Sequence, residues 1–400
     1  MINSRVLVLA PHLFYPTRNG ADILIDRRWA EFSNHVSHVD ILGGDVLVRY
    51  KGGASISFDR YSNEIRSRLS ASFRTAITGS HYLLQKLVTP AFKRKAMECL
   101  ANRDYGLIVY SYISTASLAP LDDTCPCRLH CIETHNDEIK WFIDMGVSSA
   151  NALVKLVAWL SARWLRRFMQ ESGAHFLYLH VSQTDQLGYA RFFPSHISYV
   201  APVGCDIEAV LPRQDSLMMD RDRAVRLLFV GSLSVKMNYD AIKYFSEEFY
   251  AVILSGLLGH VEVRIVGSNP TAQVVQLCAQ RGWHLFANQS DSELAASYRW
   301  ADFSILPFAY STGGKLKLLK SLSQGVPFLA TEAVSGQLDE VAQTCLFSNH
   351  APDWVRHIKK IREAGITQSE RERLVSCARQ NSWSRIAGNL YEFLAARAKY

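Results

Sequence analysis

The sequence predicts an α/β chain made of two doubly wound parallel sheets, and three observations carry that prediction. The chain has 400 residues, enough for about two domains of ordinary size. In each half a short apolar run feeds a glycine turn and then a helical pattern: Arg5–Ala10 runs on to Gly20, and Leu227–Val230 runs on to Gly231. A short continuous apolar run suits a parallel strand buried on both faces. The third observation is the stretch Ala301–Ala330. It reads as strand (Ala301–Pro307), glycine pair (Gly313-Gly314), helix with Leu316, Leu319 and Leu322 on one face, stop at Gly325, and strand again (Val326–Ala330). A glycine-rich turn at a helix N-terminus suits an anionic ligand, because unpaired N–H groups and the helix dipole both favour negative charge there.

The first half divides as follows. After β-run Arg5–Ala10, a helix is expected from Asp22, with Leu24, Trp29 and Phe32 inward. Val36–Gly43 reads as the second strand. Arg60–Leu100 reads as helical and basic, with Ile65, Leu69, Phe73 and Ile77 four apart on one face. Gly106–Tyr110 and Leu129–His135 are further strands. Active sites of open α/β sheets lie at the carboxyl ends of the strands, so His135, Asn136 and Glu138, at such an end, are candidates for ligand contact. Asn151–Phe168 is a basic amphipathic helix whose stripe is Leu153, Leu156, Val157, Leu160, Trp164 and Phe168. A core-facing helix with a solvated basic face is the plain reading. The alternative is a helix resting on an anionic membrane. Asp206–Arg226 is polar and charged and reads as a linker.

Composition narrows the function. Most of the formal net charge of +7 lies in the first 200 residues, which suggests an anionic partner such as a phospholipid surface or a phosphate-linked acceptor. No helix-turn-helix, zinc-finger or aromatic-basic strand pattern supports nucleic acid. The one cysteine cluster, Cys125-Pro-Cys127 with His130, Cys131 and His135, leaves a single residue between its first thiols, short of the about two to four usual in zinc knuckles. We read inert thiols and expect no metal. No run suits a signal peptide or a bilayer span, so a cytoplasmic chain is expected.

Five segments of the second half, Leu227–Leu233, Lys236–Phe245, Val263–Gly267, Asp291–Tyr298 and Ala301–Thr331, resemble in order and spacing the donor domain of a GT-B glycosyltransferase of glycosyltransferase family 4. Phe176–Ser182 and Ile197–Asp206 resemble the family's late strand and exit in the first half. The resemblance implies residues 1–206 as an acceptor domain, 207–226 as linker, 227–382 as nucleotide-sugar donor domain, and 383–400 as a helix crossing back, with a cleft between the two domains. It implies a retaining, metal-independent transferase without cofactor. Its partners would be a nucleotide-diphosphate sugar and a glycan or lipid-linked acceptor. Surface polysaccharide or glycolipid synthesis, on the inner face of a membrane, is the expected setting.

The resemblance also implies site residues. Lys236 matches the family's phosphate-binding lysine and His135 its histidine beside the transferred sugar. Gly20 falls at the family's first glycine turn, with Arg18 just before it on the acceptor side. Gly231, Ser232, Gly267, Phe286, Thr312, Gly313, Gly314, Lys315 and Lys320 line the donor side. The sequence departs from the family at its Glu-x7-Glu pair. Counting back from Gly325 puts Lys320 and Thr312 at the two glutamates. A lysine has no acceptor lone pair for ribose hydroxyls. The alternative is therefore a degenerate GT-B protein that partners an active transferase.

Overall fold

A computed structural model describes residues 5–17, 20–101, 104–120, 128–194, 196–207, 223–309, 315–337 and 343–397. Contacts divide the chain into two units, Met1–Val203 with Trp383–Tyr400, and Gly204–Ser382.

In the first unit the elements run β1 (Arg5–Leu9), α1 (Gly20–Phe32), β2 (Val39–Leu42), β3 (Val46–Lys51), β4 (Ala54–Arg60), α2 (Arg68–Thr78), α3 (Tyr82–Leu87), α4 (Pro90–Ala101), β5 (Tyr105–Ser111), α5 (Ile113–Ala116), β6 (Leu129–Glu133), α6 (Glu138–Ser148), α7 (Ala152–Ser172), β7 (Leu177–His180), α8 (Gln183–Ala190) and β8 (Ser198–Val200). The strands form one sheet in the order β4-β3-β2-β1-β5-β6-β7-β8. It is parallel from β2 to β8. Its core strands are apolar on both faces, as a parallel sheet between helices requires. The edge is an antiparallel hairpin, β3–β4. Gly52 and Gly53 turn it, with φ of 57° and 79°, a backbone that glycine adopts without a Cβ penalty.

The second unit continues with β9 (Val225–Val230), α9 (Lys236–Tyr244), one π-helical turn (Phe245–Phe249), α10 (Tyr250–Gly256), β10 (Val261–Gly267), α11 (Ala272–Arg281), β11 (His284–Ala287), α12 (Asp291–Trp300), β12 (Phe303–Leu306), α13 (Lys315–Ser323), β13 (Phe328–Ala330), β14 (Leu346–Phe347), α14 (Ala351–Ala364) and α15 (Gln368–Gln380). Its sheet is parallel throughout, in the order β11-β10-β9-β12-β13-β14. Capping boxes open α12 at Ser290/Glu293 and α15 at Thr367/Glu370. The last helix, α16 (Trp383–Arg397), belongs to the first unit. Its Tyr391 ring stacks on His35 at 5.2 Å, beyond the end of α1.

Two expectations need correction. Residues 60–100 are not helical throughout: Arg60 ends β4, an irregular stretch follows to Ser67, and three helices, α2, α3 and α4, come after it. Gly79 ends α2 in the left-handed conformation, φ 65°, and Pro90 starts α4 afresh. The apolar stripe Ile65, Leu69, Phe73 and Ile77 is exposed; α2 buries the small residues Ala71 and Thr75. The buried face of α7 is Val157, Ala158, Ser161, Ala162, Leu165 and Met169, shifted from the expected stripe, and Leu156 is exposed. Small residues win there because α6 approaches closely: a Cβ added at Gly146 would stand 3.2 Å from Ala158 Cβ. The hairpin β3–β4 and the helices α14 and α15 were not anticipated.

One buried ion pair ties the first unit together. The guanidinium of Arg28, on α1, donates to Glu133 at the end of β6, and both side chains are fully buried. Trp29 Nε1 donates to the other Glu133 oxygen at 2.9 Å. Arg28 also donates to the carbonyls of Ala201 at 2.7 Å and Pro202 at 3.0 Å. Arg28→Met would leave Glu133 buried without its counter-ion, at a cost of about 3–5 kcal/mol. Arg60→Met, which breaks the exposed pair with Asp45, should cost about 1 kcal/mol or less. Urea midpoints of the two variants check this; equal losses would contradict it.

Candidate active site

In an open α/β sheet, ligands bind beyond the carboxyl ends of the strands where the strand order reverses. In the first unit that point lies between β1 and β5. Three adjacent strand ends deliver a ring cluster there. His12 follows β1, Ser111 ends β5 with Tyr112 just after it, and His135 follows β6. The Tyr112 ring centroid is 4.4 Å from His135 and 4.9 Å from His12, and the two imidazoles meet edge-on at 5.0 Å. His135 Nε2 lies 2.7 Å from Ser111 Oγ. Burial first, then the neighbouring His12 and Arg28, hold the His135 imidazole neutral well below its usual range. Burial pushes His12 down to about 3. Neither ring nitrogen of His12 has a hydrogen-bond partner among the described residues. Buried polar atoms are ordinarily satisfied, so these two point to a polar ligand. Tyr112 holds φ 70°, a costly conformation for a side chain of its size that clusters at functional sites.

Glu138 completes this side. It is the first residue of α6, whose N-terminus is capped by Asp137. Glu138 Oε1 accepts from Ile113 N at 3.2 Å and its own N–H donates to Tyr189 Oη at 3.0 Å, while Oε2 has no partner among the described residues. Burial raises this carboxyl to about 8, so it is a neutral acid at pH 7 and can donate a hydrogen bond. The Asn136 carbonyl accepts from Tyr189 Oη at 3.3 Å. Gly20 is the exposed first residue of α1.

In the second unit the order reverses between β9 and β12. Gly231 follows β9 and Gly267 ends β10. A Cβ on Gly267 would stand 1.7 Å from Gly231 O, so only glycine lets the two backbones meet. A Cβ on Gly231 would stand 3.0 Å from Asn238 Nδ2 and 3.1 Å from Lys317 Cε. Asn238 Nδ2 donates to Ser232 O at 2.8 Å and fixes the loop. Helix α9 starts at Lys236, and its N-cap residue Val235 has no side chain able to cap it.

The cations differ in setting. Lys236 is exposed, and its Nζ lies 2.6 Å from Asp240 Oδ2. Lys317 is partly buried beside Gly231, with Nζ 5.2 Å from the Phe308 ring centroid just beyond β12. It has no carboxylate partner among the described residues, and burial pushes it down to about 8. Lys320 is partly buried and acts electrostatically on the Cys205 thiol. Phe286, on β11, carries the Arg264 guanidinium at 5.0 Å. Arg18, Thr312, Gly313 and Gly314 lie outside the described residues, as does the side chain of Lys315. Cys125 and Cys127 lie outside them too, and no group of metal-ligand residues occurs among the described residues.

The structure thus groups His135 with Glu138 in one unit, and Gly231, Ser232, Gly267 and Lys236 in the other. Sequence reasoning overlooked His12, Tyr112 and Lys317. The Pro-His step after β1 was a usable signal for His12. Lys317 was visible as part of a Lys-x-Lys pair, but its burial depends on Phe308 and Gly231, which sequence spacing does not bring together.

Glu138 gives a test with a definite sign. Its folded carboxyl keeps the proton to about 8, whereas an unfolded one releases it near 4.5. The folded state therefore binds more protons between those values, and this group's contribution to stability falls as pH rises through that window. Glu138→Gln should remove that fall, so the variant gains on the parent by on the order of a few kcal/mol from about pH 5 to about pH 8. Urea midpoints across the range measure it; parallel curves would contradict it.

Comparison with known proteins bears on the fold and on part of the second half of the chain. Residues 224–363 match the family described as glycosyl transferases group 1. No curated protein matches the sequence. Among solved structures, sucrose-phosphate synthase from Thermosynechococcus elongatus is similar over 98% of this chain and 100% of its own, at 15% identity and TM-score 0.64. HepE of Anabaena, in complex with UDP and glucose, is similar over 98% and 100%, at 12% identity and TM-score 0.58. The α,α-trehalose 6-phosphate synthase of Burkholderia multivorans is similar over 100% of both chains, at 12% identity and TM-score 0.58. Two parallel-sheet units in this order of elements are the GT-B fold that these solved structures share, and residues 224–363 match glycosyl transferases group 1.

Proposed function

We propose that the chain transfers a sugar from a nucleotide-diphosphate donor to a glycan or lipid-linked acceptor, with retention at the anomeric carbon and without a metal, in surface polysaccharide or glycolipid synthesis at the inner face of a membrane. The observation that carries the donor part is Lys317: a partly buried cation without a carboxylate partner among the described residues, set beside a glycine loop at the switch point of the second sheet. In the reaction the bond between C1 and the diphosphate oxygen breaks, a bond from C1 to an acceptor hydroxyl forms, and the hydroxyl proton passes to the released diphosphate. Negative charge grows on the diphosphate as the bond breaks. A fixed cation and the positive end of a helix dipole stabilise that charge without reorganising. Lys317 and the start of α9 are suited to this task, and Lys236 stands at that start. Because the chain itself offers this charge, a metal is not called for by the design.

His135, His12 and the neutral Glu138 supply hydrogen-bonding groups without charge, which suits sugar hydroxyls. The solved HepE complex with UDP and glucose makes UDP-glucose a reasonable first donor to try. The excess of basic residues in the first half supports an anionic membrane surface as a further partner. A second reading, a non-catalytic partner of an active transferase, is favoured by Lys320 at the family's ribose glutamate.

Turnover separates the two. With a panel of nucleotide-sugars, the parent should hydrolyse at least one slowly. Lys317→Met should then lower its turnover on the order of 100-fold or more, and Lys236→Ala less, since Lys236 is already neutralised by Asp240. No hydrolysis and no nucleotide binding by calorimetry would favour the non-catalytic reading. Binding of the diphosphate should also protonate Lys317, so affinity should weaken as pH rises through about 8. A pH-independent affinity would remove Lys317 from the site. Lys320→Glu should change which nucleotide binds best; unchanged selectivity would place it outside the pocket.

A further inference from the structure

Helix α2 presents large apolar side chains to solvent and small ones to the protein. Leu69, Phe73 and Ile77 are 77%, 65% and 70% exposed. They step by four residues, so they stack on one face, roughly 100° of turn per residue placing them opposite Ala71 and Thr75. The helix is well made: Ser67 caps its start, accepting from Ser70 N at 3.2 Å, and Gly79 closes its end. Its inward side packs against α7, and the N–H of Tyr82, just after α2, donates to Ser161 Oγ on α7 at 3.1 Å. The outward face is therefore presented by a fixed element.

The surroundings are cationic. From Glu64 to Ala101 seven Lys and Arg residues stand against two carboxylates, Glu64 and Glu98. Arg66 and Arg74 both donate to Gln85, on α3, Arg74 Nε at 3.1 Å from its Oε1. Arg68 is exposed on α2, and Lys93 and Arg94 are exposed on α4. An apolar ridge on a helix that carries Arg68 and Arg74, in a stretch of chain rich in cations, matches a bilayer surface with anionic headgroups: acyl chains take the ridge and phosphates take the cations. A second copy of the chain would bring the same cations to the same face and repel it. No helix among the described residues is long and apolar enough to cross a membrane, so contact would be by a helix lying flat.

We infer that the α2 ridge of Leu69, Phe73 and Ile77 is the element by which this protein docks on an anionic phospholipid surface. The inference rests on the membrane part of the function proposed above and fixes which helix makes the contact. Flotation of the full chain with phosphatidylcholine vesicles, with and without phosphatidylglycerol, at low and raised salt, tests it. The parent should float with the anionic vesicles and less so at raised salt. L69S/F73S/I77S should lose at least about tenfold in recovery, and R68Q/K93Q/R94Q should lose its salt dependence. All six residues are exposed or nearly so, and unchanged circular dichroism and melting would show that both variants fold. A serine variant that floats like the parent overturns the α2 inference and leaves the membrane reading standing. A parent that floats with neither vesicle overturns both, while donor hydrolysis judges the transferase activity separately. A parent that dimerises in the ultracentrifuge through the ridge and ignores vesicles assigns the face to a second copy and overturns the lipid inference.

Discussion

The first unit depends on a charge that it can neither expose nor leave unpaired. Arg28 and Glu133 are both fully buried, and each would be costly without the other. Through them α1, the end of β6 and the carbonyls of Ala201 and Pro202 are held to one point. The consequence for chemistry is positional. Glu133 is two residues before His135, so fixing its carboxylate fixes where the imidazole emerges. Trp29 adds a neutral hydrogen bond to the same carboxylate, which leaves neither oxygen without a donor.

The two units solve opposite electrostatic problems. The first gathers titratable groups and keeps them uncharged by burial: His12 and His135 as neutral imidazoles, Glu138 as a neutral acid. Such a surface offers hydrogen bonds without attracting counter-ions, as recognition of hydroxyl groups needs. The second unit does the reverse with Lys317, keeping a cation close to glycine backbone and without a carboxylate partner among the described residues. The close passage of Gly267 under Gly231 makes room for this, since any side chain there would push the loop away.

The sequence announced the sheets because parallel strands are apolar on both faces and end in glycine turns, and both signals are local. It announced His135 because a histidine directly after such a strand sits at the working end of the sheet. It left the direction of the α2 stripe open because an i, i+4 apolar stripe looks the same whether it faces the core or the solvent. Only the packing of Ala71 and Thr75 against the unit decides the direction. The stripe of α7 was misplaced for a related reason: Gly146 on α6 draws small residues into the contact, and larger neighbours are left half exposed. Lys317 was hard to single out because its burial comes from Phe308, just after β12, and from Gly231, just after β9 and far away along the chain.

Helix α16 has a consequence for the order of assembly. It packs on α1 through Tyr391 beside Phe32 and His35, and Phe393 lies 4.4 Å from Tyr199. Its Trp383, Ile386, Leu390 and Leu394 are buried. These partners are separated by most of the polypeptide, and closing so long a loop is slow and entropically opposed. During synthesis the first unit leaves the ribosome early but lacks this helix until the whole second unit has been made. It must wait with an apolar groove along α1 open to water, the kind of surface that chaperones recognise and that misfolding exploits. The second unit, continuous from Gly204 to Ser382, has no such wait, so the last-made unit can be the first one finished.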